Sequence, residues 1–417
     1  MGVASDWWRA ERRRLLRLAA AAGVGFVIGG KPRRPRSDPG EQPEAQAPEH
    51  DMIMLFFCGD VMTGRGIDQI MPHPCPPHLR EPYVASALDY VALAERANGP
   101  IPRPVDFGYV WGDALPEFDR RRPDIRIINL ETSITTSEDL QPKGINYRMN
   151  PANVACLTAA GIDCCILANN HVMDWGSRGL LETLTTLDDA GIQHVGAGRD
   201  SAEAEAPAVL MAPGKSRVIV FAVGAESSGV PPAWAARRDR PGVSFLSDLS
   251  PRTADRIGAA VHERRQPGDV VVLSIHWGSN WGHEIPRSAY GVCPPADRCR
   301  RGRGRFWSLL HHPRAVEVYK GRPILYGCGD FLNDYEGIEG YEAFRDDLVL
   351  MYFVTVRSDS GELDRFEMTP LRIKNFRLNR ASAEDAEWMR ATLDRECRKR
   401  DCGVERTADG RLRLLWA

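Results

Sequence analysis

The sequence lacks paired cysteines, an excess of charge of either sign, and internal repeats. Its ten cysteines include no Cys-x-x-Cys pair. Cys397 and Cys402 could form a disulfide or stay reduced, so cysteine does not identify the compartment. The formal net charge of the 417 residues is −2. The chain therefore has no overall basic field that would indicate nucleic-acid binding, and any anion-binding site must be local.

The first 50 residues lack an apolar run long enough for a confident membrane span. Three arginines (12–14) precede a short Ala/Gly-rich stretch, and together they resemble a twin-arginine export signal without a clear A-x-A cleavage site. A basic amphipathic leader or a start codon placed too early would explain the same residues. The protein is thus cytoplasmic, or exported or membrane-associated if the leader is a signal. Residues 31–50, rich in Pro, Glu and Arg, predict a disordered linker.

What the sequence does contain is a set of apolar segments that predict buried strands ending in polar residues. IMLFFCGD ends in Asp60, and IRIINLE ends in Glu131. DCCILANNH ends in Asn170 and His171, and DVVVLSIHWG contains His276 near its end. A single strand-end carboxylate is usually a cap or turn residue, but four such ends require another explanation.

The segments between and after these strands define the fold class. Amphipathic patterns at 177–191 and 253–265 predict helices, so strands and helices alternate as in an α/β sheet. Residues 347–356 and 362–373 predict an antiparallel pair. A helix over 382–400, with Ser382 and Asp385 as a capping box, and a final hairpin on Asp-Gly complete the chain.

The strand ends predict a metal site. The carboxyl ends of strands in an α/β sheet lie at one edge, where ligands bind. Oxygen and imidazole donors that meet there suit Mn, Fe or Zn. Two such ions about 3.5–4 Å apart can clamp a phosphoryl or carbonyl group and generate hydroxide near neutral pH.

An ordered set of motifs resembles the CapA family of poly-γ-glutamate capsule biosynthesis, a branch of the calcineurin-like metallophosphatase superfamily. The resemblance extends over about residues 52–335, and no single motif is specific by itself. The motifs are GDVMTGR (59–65), NLETSIT (129–135), LANNHVMDWGSRGLLETLTTLDDAGIQHVGAG (167–198), HWGSNWGHEIP (276–286) and PILYGCGDFLND (323–334). The last has Cys-Gly-Asp where Leu-Gly-Asn is commoner in the family.

This resemblance implies a metallophosphatase-like β-sandwich flanked by helices, with an antiparallel C-terminal extension. Residues 51–375 would form the CapA-like domain, residues 376–417 a C-terminal helix and hairpin, and residues 1–50 the leader and linker. The implied metal ligands are Asp60, Glu131, Asn170 and His276.

The resemblance also implies two catalytic roles. His171 would be the general acid near the leaving group. Arg65 would hold an anionic substrate group, with a surface arginine as the alternative. Asp174 could orient His171 or cap the following helix, and the sequence favours the cap.

The family pattern breaks after His276. Residues 291–305 show no periodic pattern of apolar residues, and they contain five arginines among prolines and glycines. Read one nucleotide later, the codons for 291–311 permit VFAHRLIDAGVDVVxFGHSS, which restores a helix, a strand and a Gly-His pair. We therefore expect that the segment is translated out of frame; a basic insertion loop is the alternative. As written, the chain would lack a helix, a core strand and a metal ligand, which predicts weak metal binding and lowered stability. His311 and His312 would partly substitute as ligands.

The sequence favours a metal-dependent, phosphoesterase-like hydrolase with two divalent ions, acting on an anionic polymer or phosphoester by metal-bound hydroxide. Two alternatives stay open. One is a phosphoesterase for another anionic ester. The other is a non-catalytic accessory protein that binds polymer or a partner in a membrane capsule-synthesis complex.

Overall fold

The computed structural model describes residues 52–212, 214, 216–278, 282, 304–308, 312–340 and 342–417, with only the backbone course given for 304–308. The leader and linker at 1–50 lie outside the described residues, and so does most of the atypical segment at 291–311. None of the helices in the described ranges has the length and apolar content of a transmembrane span.

The described ranges contain twenty-one strands, which are numbered in chain order. They are β1 (Met52–Val61), β2 (Ile125–Leu130), β3 (Ser133–Ile134), β4 (Arg148–Met149), β5 (Cys164–Ile166), β6 (Gln193–Val195), β7 (Ala197–Gly198), β8 (Ala208–Met211), β9 (Arg217–Ala225), β10 (Gly242–Val243), β11 (Phe245–Leu246), β12 (Val270–His276), β13 (Gly304–Ser308), β14 (Val316–Tyr319), β15 (Arg322–Leu325), β16 (Asp330–Leu332), β17 (Leu348–Arg357), β18 (Leu363–Ile373), β19 (Leu378–Arg380), β20 (Cys402–Arg406) and β21 (Leu412–Trp416).

The α-helices of the described ranges are amphipathic or short. They are α1 (Gly66–Ile70), α2 (Ala87–Asn98), α3 (Ala114–Arg121), α4 (Ala155–Ala159), α5 (Gly176–Asp189), α6 (Ser201–Glu205), α7 (Pro251–Arg264) and α8 (Ala383–Arg398). Ser382 is the N-cap of α8, because its hydroxyl oxygen accepts from the Asp385 backbone N–H at 3.0 Å. The Asp385 carboxylate of the predicted capping box accepts from the Ser382 hydroxyl at 2.8 Å.

The strands form two principal sheets. The ten-stranded sheet has the order β20-β21-β18-β17-β1-β2-β5-β6, with β16 beside β1 and β19 beside β18. The seven-stranded sheet has the order β11-β9-β12-β13-β15-β14, with β8 beside β9. Buried side chains of both sheets, such as Leu55 and Val271, belong to one hydrophobic core. The predicted mixed α/β architecture, a β-sandwich with flanking helices, is confirmed.

The C-terminal extension is antiparallel, as predicted. β17 pairs with β18, β18 with β21, and β21 with β20, all antiparallel. The hairpin thus continues the ten-stranded sheet, while the domain boundary at residue 375 stays a prediction. Cys397 and Cys402 are both buried and free.

One sequence-based expectation is wrong. β13 lies parallel between β12 and β15, so the chain as written does supply a core strand at this position. The physical reason is that two neighbouring strand edges expose unpaired N–H and C=O groups, and any extended segment can satisfy them through its backbone. The helix and the Gly-His pair that we expected to be lost would fall on residues outside the described ranges, so that expectation stays a prediction.

Candidate metal centre

Side chains from separate strand ends meet in one buried group. Asp60, Glu131 and His276 each contribute a donor atom, and these atoms all lie within 4.8 Å of one another. The amide oxygen of Asn170 lies 2.9 Å from His276 Nε2. The structure therefore brings together the four residues that the sequence singles out, two from adjacent strands of the ten-stranded sheet and His276 from the seven-stranded sheet.

Strand register places the carboxylates side by side. β1 runs parallel to β2 with Asp60 opposite Asn129, and parallel to β16 with Asp60 opposite Asp330. The carboxyl ends of these strands thus share one edge of the sheet. Close approach requires a glycine before Asp60, because a Cβ at Gly59 would lie 1.7 Å from the Gly329 carbonyl oxygen.

Two asparagines hold the carboxylates in place. Asn129 Nδ2 donates to Asp60 Oδ1 at 2.9 Å and to Glu131 Oε2 at 3.3 Å. Asn169 Nδ2 in turn donates to Asn129 Oδ1 at 3.1 Å. These bonds orient the oxygens before any ligand arrives, as the supporting residues of metal sites do. Asn129 is a supporting residue that sequence reasoning missed, although it stands inside the NLE motif.

The electrostatics of the group favour a cation. Burial raises the pKa of Glu131 well above its ordinary range, and the nearby carboxylates of Asp60 and Asp330 raise it further. Like charges crowded in a buried space require compensation by protons or by a positive ion. Asp330, the departure from the family motif, was not predicted as part of this environment.

The chemistry of the donor set fits a divalent metal. Carboxylate oxygens, an amide oxygen and an imidazole nitrogen suit Mn, Fe or Zn. The side chains of Asp60, Glu131 and His276 are all buried, as required for a site that excludes bulk water. The residues present thus match the metal-binding chemistry that the motifs imply.

His171 stands beside this group and is held by Asp174. His171 Nδ1 lies 2.7 Å from Asp174 Oδ2, so the proton is on Nδ1, because a carboxylate only accepts. Nε2 lies 3.9 Å from Glu131 Oε1. Burial lowers the pKa of His171 to about 4, so the imidazole is neutral at neutral pH and Nε2 carries no proton.

Asp174 does not cap a helix. The residue at the N-cap of α5 is Trp175, which makes no side-chain cap bond. The favoured sequence interpretation of Asp174 is therefore wrong. Its carboxylate instead binds His171, Lys143 and the Tyr147 backbone N–H, the last at 2.6 Å. Three donors in a buried pocket outcompete the backbone N–H groups of α5.

Lys143 is a further residue beside the candidate centre that the sequence did not reveal. Its ammonium donates to Asp174 Oδ1 at 2.8 Å and to the Asn170 carbonyl oxygen, and it lies 3.3 Å from His171 Nδ1. A lysine in the loop QPKGIN has no strand-end signal, so only the fold shows its position beside the centre.

Arg65 is buried, not a surface arginine. Its Nε donates to Asp334 at 3.1 Å, and its Nη1 donates to Glu81 and to the Tyr90 hydroxyl, each at 3.0 Å. The guanidinium also lies over the Tyr147 ring, 4.5 Å from its centroid. These partners occupy the guanidinium N–H groups that were expected to hold a substrate anion, and they favour a positioning role for Arg65.

His312 is buried but is not one of the three donors that converge within the described part of the chain. Its Nε2 accepts from the Gly282 backbone N–H at 3.1 Å, and its ring stacks on Phe344 with centroids 4.9 Å apart. A metal-ligand role for His312 stays a prediction.

Relatives whose names state a role in polymer synthesis match most of the chain. A probable polyglutamine synthesis accessory protein of Mycobacterium tuberculosis is 46% identical over 371 residues, which cover 88% of this chain and 96% of the relative. The PGA biosynthesis protein CapA of Bacillus subtilis is 24% identical, covering 89% of this chain and 84% of its own.

A likeness to a solved structure is weaker. A novel phosphatase from Mycoplasma pneumoniae is 11% identical, with a TM-score of 0.43, over 79% of this chain and 95% of the phosphatase.

The family model described as bacterial capsule synthesis protein PGA_cap matches residues 54–293. With more than half of the chain matched and a relative at 46% identity, the resemblance drawn from the motifs is confirmed, and the chain belongs to the PGA_cap family of bacterial capsule synthesis proteins.

Proposed function

We propose that the protein is a metal-dependent hydrolase of the phosphoesterase type that serves poly-γ-glutamate capsule synthesis. The observation that carries the proposal is the buried convergence of Asp60, Glu131 and His276, whose donor atoms lie within 4.8 Å of one another. The substrate is an anionic polymer or a phosphoester. The names of the relatives support the capsule context, and the donor set supports the chemistry.

Two divalent ions, Mn, Fe or Zn, are proposed for the centre, held by Asp60, Glu131, Asn170 and His276. When bound, such ions supply Lewis acidity and lower the pKa of water to near neutrality. The two asparagines behind the carboxylates fix the ligand oxygens, and burial excludes competing water.

His171 is the proposed proton carrier at the edge of the centre. Asp174 fixes the ring so that Nε2 faces Glu131. Because burial depresses the pKa of His171 to about 4, Nε2 must gain its proton when an anionic substrate arrives before it can act as a general acid. Lys143 compensates the charge of Asp174 and keeps the pair in place.

Metal analysis with an activity assay tests the proposal. The purified protein, loaded with Mn²⁺, Fe²⁺ or Zn²⁺ and desalted, is expected to retain about two ions per chain and to hydrolyse a generic phosphodiester. Asp60→Asn preserves the shape and removes a charge, so it should lose both properties. Asp364→Asn, on the exposed face of β18, is the matched control and should keep both. Equal metal content in wild type and Asp60→Asn would refute the metal centre.

A second candidate is a non-catalytic accessory protein that binds polymer or a membrane synthase partner. The observation that favours it is the similarity to the Mycobacterium tuberculosis relative, which is named a probable polyglutamine synthesis accessory protein. Metal retention without turnover of phosphodiesters or of poly-γ-glutamate would support this role over the hydrolase.

A further inference from the structure

A cleft opens on the far side of the loop that carries Asn146 and Tyr147. Its volume is about 200 Å³, and it is lined by Arg80, Glu81, Glu138, Asn146, Arg148 and Trp175, together with His78 and three apolar residues. None of the residues assigned to the metal centre lines it. The cleft is therefore separate from the centre described above.

Arg148 at the base of the cleft is a buried cation without a charge partner. It is only 9% exposed, and its guanidinium lies over the Trp175 ring, 4.0 Å from the centroid. Nη1 donates to the Ser137 carbonyl oxygen at 2.9 Å, and Nη2 reaches the Pro76 carbonyl oxygen at 3.5 Å. Within the described ranges, no carboxylate lies within ion-pair distance of Arg148. An uncompensated buried charge is costly, so the site favours an anionic ligand.

The charge balance of the cleft points in the same direction. Arg80 at the exposed rim makes no ion pair with any residue that the structure describes. The carboxylate of Glu81 is already bound by Arg65 and Tyr90. Glu138 at the rim is the remaining acid among the lining residues, so the cleft holds two arginines without an ion pair and one acid whose side chain makes no hydrogen bond within the described ranges.

The shape of the donors favours a carboxylate. Each Nη atom of a guanidinium carries two N–H groups, so Nη1 and Nη2 of Arg148 each keep one N–H beyond the one that a backbone carbonyl accepts, and these can bind a carboxylate. Trp175 with Leu79 and Leu140 offers an apolar wall for a short aliphatic chain. A γ-glutamyl unit combines an α-carboxylate with two methylene groups, so it matches both features.

The cleft is connected to His171 through two hydrogen bonds. Trp175 Nε1 donates to the Tyr147 carbonyl oxygen at 3.0 Å, and Asn146 Nδ2 donates to the Asp174 carbonyl oxygen at 3.2 Å. Tyr147 packs against the His171 ring, with centroids 4.4 Å apart. A ligand in the cleft would therefore touch the residues that support the His171–Asp174 pair.

We propose that the Arg148–Trp175 cleft is a carboxylate-binding subsite that holds γ-glutamyl units of the polymer. The choice of polymer rests on the proposed function, whereas the carboxylate chemistry rests on the unpaired guanidinium alone.

Calorimetry in EDTA tests the subsite independently of the metal centre. The full chain is titrated with a γ-linked glutamate oligomer, with the same oligomer amidated at its α-carboxylates, with free glutamate and with inorganic phosphate. Arg148→Lys should weaken oligomer binding about tenfold or more, because it loses the planar fork. Arg80→Ala should weaken binding about two- to fivefold. Arg395→Ala, an exposed arginine on α8, should leave it unchanged.

Each outcome of these titrations either supports the subsite or contradicts it. Oligomer binding that depends on Arg148 and is lost on amidation supports the subsite, and binding of free glutamate as well would identify the monomer as a second source. If the Arg148→Lys protein does not fold, Trp175→Phe tests the same cleft while keeping an aromatic ring at position 175. Equal binding of the amidated oligomer or of phosphate, or unchanged binding in both arginine variants, would overturn the proposal. Loss of metal binding elsewhere would not affect this result.

Discussion

His171 shows how a single residue is set by opposing forces. Burial disfavours the imidazolium, whereas Asp174 favours it, and burial prevails so that the pKa falls from its ordinary value of 6.5 to about 4. In the unfolded chain the same imidazole is exposed to water and takes up a proton near pH 6.5. Between these two pKa values the unfolded chain binds more protons than the folded one.

The free energy of unfolding of the metal-free protein should therefore fall as the pH drops from about 6.5 to about 4. His171 alone should account for a loss of about 3 kcal/mol. Urea denaturation in EDTA at several pH values, comparing wild type with His171→Gln, isolates the effect. The free energy of unfolding of wild type should fall more steeply with acidification than that of the variant. Parallel curves for the two proteins would show that the folded state does not hold His171 neutral.

The site residues at strand ends could be predicted from the sequence, whereas the residues that hydrogen-bond to the site could not. Asp60, Glu131, Asn170 and His276 follow apolar runs, and a sheet edge brings such positions together whatever the details of the loops. Lys143 stands in a polar loop with no periodic pattern, and its place beside Asp174 depends on how 31 residues of chain fold back. The partners of Arg65 lie up to 269 residues away, so sequence alone could not show that its guanidinium is occupied.

At the scale of elements, the contact between β1 and the segment before β16 holds Asp60 in position. A Cβ at Gly59 would meet the backbone of Gly329 and not a movable side chain, so the strands would have to separate. Gly59→Ala should lower the free energy of unfolding by about 3 kcal/mol and reduce metal retention, because Asp60 moves with the strand. Urea denaturation and metal analysis would measure both effects.

Gly258 in α7 provides the control for this substitution. Apart from Gly258 itself, its two chain neighbours and the nearby backbone of α7, no heavy atom in the described part of the chain lies within 4 Å of a Cβ there. Gly258→Ala should stabilise the helix by up to about 1 kcal/mol and leave metal retention unchanged. A Gly59→Ala protein as stable as wild type would contradict the close approach of the two strands.

Elements with a strong local pattern were predictable, and one without it was not. β1, β2 and β12 are continuous apolar runs, and α8 begins at its capping box. β13 has neither signal: it pairs because β12 and β15 leave a gap of one strand between them. The need for that strand is a property of the sheet, so it could not be recognised from residues 304–308 by themselves.

At the scale of the whole molecule, the centre joins the two sheets. Asp60 and Glu131 follow strands of the ten-stranded sheet, and His276 ends a strand of the seven-stranded sheet. A cation shared by these residues would bind the folded chain and not the unfolded one, so it would stabilise the folded state by about 2.7 kcal/mol at a hundred times its Kd. It would also replace the proton that Glu131 takes up when its pKa is raised.

Removal of metal should consequently lower the melting temperature, on the order of 5 °C for a chain of this size. Calorimetric scans of wild type with saturating Mn²⁺ and with EDTA would measure the shift, which should grow as the pH rises above 4.5, because the pKa of Glu131 is raised and metal binding displaces its proton. Asp60→Asn should show no shift, and Asp364→Asn should show the wild-type shift. An identical melting temperature with and without metal would mean that no cation links the two sheets, even if ions are retained elsewhere on the chain.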